Sequence, residues 1–230
     1  MKTKLKIVRA GLELFNNRGE RNVSTNHIAA HLGISPGNLY YHFSNKTDII
    51  YEIFLQYRKL IDSYLQIQET RWLTVEDQFF YLEAVFNGLW NYRFFHRDLE
   101  HYLECDPRLQ REYKLFAETC LDSIEKILSG LEASSVLRPM QGGMRRTFAL
   151  NTWLIITSWM SYLKTAADRE TGLIEKDALM QGIYQIISLE IPYLEEDALP
   201  LAIKLQARYA PNLAGSESAV KASGLVRLPR

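Results

Sequence analysis

Between Thr25 and Lys46 the chain gathers side chains suited to binding oxygen and base edges. They are the hydroxyls of Thr25, Tyr40 and Tyr41, the amide of Asn38, the imidazole of His42 and the ammonium of Lys46. Hydroxyls, ammonium groups and helix N-termini are good ligands for phosphate oxygens, and an asparagine amide can pair bidentately with adenine. None of these side chains is acidic. On an ordinary helical hairpin the same residues would merely cover the surface, so the elements that position them decide between the two readings.

Those elements read as helices. Leu5, Val8, Leu12 and Phe15 recur at helical spacing and stop at Asn16-Asn17-Arg18-Gly19, a C-terminal signal. Ser24 and Thr25 can cap a short helix running to Leu32, and Gly33 ends it. Ser35 caps a third helix with Pro36 at its first position, where the missing N–H costs nothing. Ile28, Ala29 and Leu32 on one helix, Leu39 and Phe43 on the next and Ile34 between them form an apolar set across a three-residue turn. That is the pattern of a helix-turn-helix. It turns Gly37, Asn38, Tyr41 and His42 outward, with Tyr40 at the edge. Asn45 caps a long fourth helix, expected over about 46–68.

Further helical patterns cover roughly 75–95, 107–131, 144–166 and 175–192, with no strand alternation. The expected fold is all-α. Its domains are a helix-turn-helix domain over 1–47, a larger helical domain over 48–209 and a loosely ordered small-residue tail over 210–230.

The 230 residues carry no formal net charge, but residues 1–60 hold nine Lys or Arg against four acids, and the remainder 18 against 23. A basic head on an acidic body suggests that the head alone meets a polyanion. Hydrophobic content of 47% and charged content of 23% are ordinary for a soluble globular protein. Two cysteines give no disulfide framework, and the basic N-terminus lacks the apolar run of a signal peptide, so the expected location is the cytoplasm.

The run Thr25…Ile28-Ala29…Leu32-Gly33-Ile34-Ser35-x-Gly37-x-Leu39-Tyr40-Tyr41-His42-Phe43-x-x-Lys46 resembles the signature of the TetR family of bacterial transcriptional regulators. The resemblance spans about the first 60 residues. It implies a ligand-responsive regulator, a repressor that binds a pseudo-palindromic operator in double-stranded DNA as a homodimer and is released by a small effector. It implies backbone and base contacts at Thr25 and Asn26, a base-reading tip at Pro36, Gly37 and Asn38, groove-edge and phosphate contacts at Tyr40, Tyr41 and His42, and a phosphate clamp at Lys46. Pro36-Gly37 departs from more polar versions of this tip, so shape and methyl contacts would carry much of the specificity.

Other chemistry is thinly supported. His96-Arg97-Asp98 resembles a kinase catalytic loop but lacks the accompanying Asn, glycine loop and DFG. His101, Glu104, Cys105 and Asp106 lack a further His or Cys partner at ligand spacing. No basic pattern lowers the pKa of Cys105 or Cys120. The expectation is no enzyme, no metal and no cofactor.

Residues 147–163 contain no charged side chain, which is short for a membrane span and interrupted by Asn151, Thr152, Thr157, Ser158 and Ser161. The better reading is a helix buried on most sides, packing its own core and a partner subunit. Ile156, Met160 and Leu163, with Ile183 and Ile187 of the next helix, are the expected dimer interface. In the aromatic-rich middle, Phe86, Trp90, Tyr102, Tyr113, Phe116 and Trp153 are the expected lining of a pocket for a largely apolar or aromatic effector.

Overall fold

A computed structural model describes residues 3–66, 71–166 and 174–211. Helices α1 (Thr3–Arg18), α2 (Thr25–Leu32), α3 (Pro36–His42) and α4 (Lys46–Tyr64) build the head. Helices α5 (Val75–Asn91), α6 (Arg93–Arg97), α7 (Leu99–Cys105), α8 (Pro107–Ala133), α9 (Met144–Ala166), α10 (Lys176–Glu190) and α11 (Leu199–Gln206) build the body. Among the described residues the one β-type pairing is an isolated bridge between Leu137 and Leu194.

Local chemistry sets the boundaries in the head. Gly19 and Gly33 take φ of 79° and 65°, left-handed values that end α1 and α2 cheaply only for glycine. The Ser24 hydroxyl accepts the His27 N–H, and the His27 ring in turn accepts the Ser24 N–H, closing a capping box. Ser35 caps α3 through Asn38 N, and Asn45 caps α4 through Asp48 N.

Two apolar cores divide the molecule. The first joins Phe15, Ile28, Leu39 and Phe43 of the head to Phe54 and Tyr57 of α4, and continues into Phe95, Tyr102 and Phe116 of α6, α7 and α8. The second lies among α5, α8, α9, α10 and α11. Because α4 contributes to the first core along its length, the packing has no seam at residue 47. The tail expected over 210–230 falls outside the described residues from 212 onward. Sequence periodicity runs α5 and α6 together and gives no signal for α7 or α11; α6 and α7 are only five and seven residues long.

Candidate DNA-binding face and effector cavity

The head leaves the predicted side chains exposed or half-buried, and brings Thr25, Tyr40 and Lys46 together at one cleft. Asn26, Pro36, Gly37 and Asn38 are exposed, Tyr41 is 85% exposed and Tyr40 50%, while Thr25 and His42 are half-buried. An exposed tyrosine of that extent does nothing for the core. The Thr25 and Tyr40 hydroxyls lie 3.0 Å apart, tying the start of α2 to α3. The His42 ring meets the Tyr41 ring edge-on at 5.1 Å. Beside Tyr40 opens a cleft of about 460 Å³, walled by Arg21, Ser24, Thr25, His27, Ser44, Asn45 and Lys46. Two helix N-termini, those of α2 and α4, face this cleft, an arrangement that favours an anion. Arg21, Ser24, His27, Ser44 and Asn45 lie outside the expected contacts; for Ser24, His27 and Asn45 the helix caps are the signal that points to them.

Lys46 is placed differently from expectation. Its ammonium donates to the carbonyls of Glu20 and Val23 at 3.1 and 3.0 Å and pairs with Glu20 Oε1 at 2.6 Å. Two of its three N–H donors are hydrogen-bonded to those carbonyls, and the Glu20 carboxylate matches its charge. Lys46 therefore pins the turn before α2 to the start of α4, with its charge matched by Glu20 at the edge of the cleft.

The body holds an apolar cavity with about 50 Å³ of free space. Tyr57, Ile61 and Leu65 from the end of α4 form one wall, Gln78, Tyr81, Leu82 and Val85 of α5 another. Phe116, Cys120, Ile124, Ile127, Leu128 and Leu131 of α8 and Thr152, Trp153, Ile156 and Thr157 of α9 complete the sides, with Glu190 at the end of α10. Of the expected effector residues, Phe116 and Trp153 line this space and four do not. Phe86 is fully buried beneath Gly182, where an added Cβ would land on its ring. Trp90 is stacked under the Arg93 guanidinium at 4.6 Å. Tyr102 stacks on Phe95 at 5.7 Å, and Tyr113 packs against Phe54, Phe95 and Phe116 at the junction with the head.

Two buried polar side chains on this cavity's wall lack a hydrogen-bond partner. Thr152 Oγ1 and Glu190 Oε2 are buried without a hydrogen-bond partner. Glu190 is 3% exposed, and burial pushes its carboxyl up to about 8. Burial also drives the Cys120 thiol up to about 12, which makes it inert at neutral pH. His96, in the junction core, is held down to about 4 by the same effect, with both ring nitrogens unpartnered.

The expected dimer residues also move. Ile156, Met160, Ile183 and Ile187 are 6%, 1%, 0% and 1% exposed within the single chain, so they have almost no surface left to bury against a partner. Ile156 faces the cavity, and the isoleucines of α10 pack the second core. Leu163 is half-buried against the same core. The large apolar side chains that α9 exposes are Met144, Leu150, Leu154 and Tyr162, and α10 exposes Leu189. No helix among the described residues is long and apolar enough to cross a membrane. Among the described residues no three His, Cys, Asp or Glu side chains assemble into a metal-binding group; the Cys105 sulfur lies 3.7 Å from the His101 ring.

A helix-turn-helix head sharing its fourth helix with a cavity-bearing helical body defines a transcription regulator that reads DNA at one end. Comparison with known proteins agrees: residues 7–53 match the family described as bacterial regulatory proteins, tetR family, and residues 56–201 match the TetR family described as bacterial transcriptional repressor. The chain belongs to the TetR family of transcriptional regulators. A TetR-family transcriptional regulator from Marinobacter aquaeolei VT8 is 53% identical, with a TM-score of 0.85 over 92% of this chain and 100% of that one. A putative transcriptional regulator from Saccharomonospora viridis in complex with choline shares the fold at 18% identity and TM-score 0.64, covering 84% and 98%. The SmeT–triclosan complex does so at 16% identity and TM-score 0.57, covering 85% and 93%. No curated protein matches the chain.

Proposed function

We propose that the protein is a ligand-responsive repressor that binds a pseudo-palindromic operator as a homodimer and leaves it when a small, largely apolar effector enters the body cavity. One observation carries this reading: α4 begins at the DNA-facing cleft and ends as a wall of the cavity. Free space of about 50 Å³ holds little more than a few waters, so a larger ligand must push the walls apart, and one wall is α4. Arg58 and Arg108 bind α4 to α8 through Glu112 at 2.5 Å and Asp48 at 2.8 Å, so movement in the body reaches the head. The complexes of two proteins of this fold with choline and triclosan support a ligand-taking role.

The outward stripe of α9, Leu150, Leu154 and Tyr162, with Leu189, supports a face for a second copy. Twofold symmetry would then set the two α3 helices about one DNA turn apart, roughly 34–36 Å. Selection from random double-stranded DNA tests the reading: a pseudo-palindrome is expected, and recovery of no preferred site would reduce the protein to a non-specific binder.

A further inference from the structure

We propose that the body cavity is a site for an apolar cation, an aromatic or aliphatic body carrying one ammonium centre, with Glu190 as its counter-charge. This assignment rests on reading the cavity as the effector site. Glu190 is 3% exposed, sits on the cavity wall and has an oxygen without any partner. Leaving a carboxyl in that state is costly, and neither a lysine nor an arginine is among the residues lining the cavity. A carboxylate ligand would meet a second acid in an apolar wall. A cation would supply the one thing the wall lacks. Aromatic faces complete the site, since Tyr57, Tyr81, Phe116 and Trp153 line the same space and ring faces attract ammonium centres.

The titratable groups on the cavity wall are Tyr57 of α4, Tyr81 of α5, Cys120 of α8 and Glu190 of α10; α9 contributes none. Burial raises the first three further above neutrality. Glu190 is then the group on the wall that changes charge near neutral pH, and it is protonated below about 8 in the empty site. A cation that pairs with the carboxylate must displace this proton. Binding should release a proton at pH 7, and affinity should rise by up to about tenfold per pH unit toward pH 8 before levelling.

Calorimetric titration of the full-length protein tests this with three probes of similar shape: benzyltrimethylammonium, its uncharged carbon counterpart neopentylbenzene, and 3-phenylpropanoate. The cation should bind best, and Glu190→Gln should weaken it by roughly 10- to 100-fold while leaving neopentylbenzene unchanged and abolishing proton release. Thr152→Val, on the same wall, is the control that should not erase the cation preference. Equal affinity for the cation and its neutral counterpart, tighter binding of the propanoate, a Glu190→Gln variant that keeps the preference, or no binding of any probe would each overturn the assignment. Operator binding by the ligand-free protein is measured alongside. Its loss would count against the repressor reading, whereas its retention with no cation preference would count against this site alone.

Discussion

Lys46 stands where the family pattern puts a phosphate clamp, yet its ammonium bonds the Glu20 and Val23 carbonyls and pairs with the Glu20 carboxylate. Its charge is already matched, so Lys46→Ala should lower thermal stability and weaken binding to all DNA sequences alike. The salt dependence of binding should keep its slope; a slope smaller by about one would restore a phosphate contact. Asn38 is different, because its side chain is free on the exposed face of α3. Asn38→Ala should relax preference at one base pair per half-site by about 1–3 kcal/mol if the contact is bidentate. A uniform loss across operator variants would move Asn38 to the backbone. Glu190 also gives a stability prediction with a definite sign. Its folded-state pKa lies above that of an unfolded carboxyl, so its contribution is whole below about pH 4.5 and declines as pH rises toward about 8. Each unit of that window costs at most about 1.4 kcal/mol. Denaturant melts should show Glu190→Gln gaining on the parent protein across that range, and parallel pH profiles would refute it.

At the scale of elements, two glycines set how closely helices approach. A Cβ on Gly88 of α5 would come within 2.8 Å of the Ile61 tip on α4, and one on Gly182 of α10 would strike the Phe86 ring. The Ile61 tip can swing into the cavity it lines, whereas the Phe86 ring is fully buried. Gly182→Ala should therefore cost about 1–3 kcal/mol, and Gly88→Ala less in stability but measurably more in effector affinity. Differential scanning calorimetry and ligand titration separate the two. The same distinction explains what was legible in the chain. Caps at Ser24, Ser35 and Asn45 act within four residues, so sequence alone placed α2, α3 and α4 and the outward face of α3. Which side of α9 meets its own core depends on α8 and α10, far away in sequence. An apolar run on a helix therefore looks the same whether it faces a core, a cavity or a partner. Ile183 and Ile187 read as interface residues in the sequence for that reason, and Glu190 gives no signal there because its meaning lies in what surrounds it.

For the whole molecule, assembly and response follow from the same faces. Leu154→Lys places a charge on the outward stripe of α9 and should shift sedimentation toward monomer with little loss of fold. Persistence of an unperturbed dimer would move the interface off α9. Operator and effector must also weaken each other equally, since linkage is reciprocal. Coupling of about 1–3 kcal/mol would lower affinity roughly 5- to 150-fold in both directions, and equal effector affinities for free and operator-bound protein would rule out that ligand as inducer. The small volume of the cavity, about 50 Å³, has a consequence in time as well. On the proposed reading, a ligand larger than a few waters waits for a wall such as α4 to move aside. Its capture rate should therefore stop rising with concentration and settle at the rate of that opening. In a stopped-flow record of Trp153 fluorescence, that ceiling would measure how often the protein opens by itself.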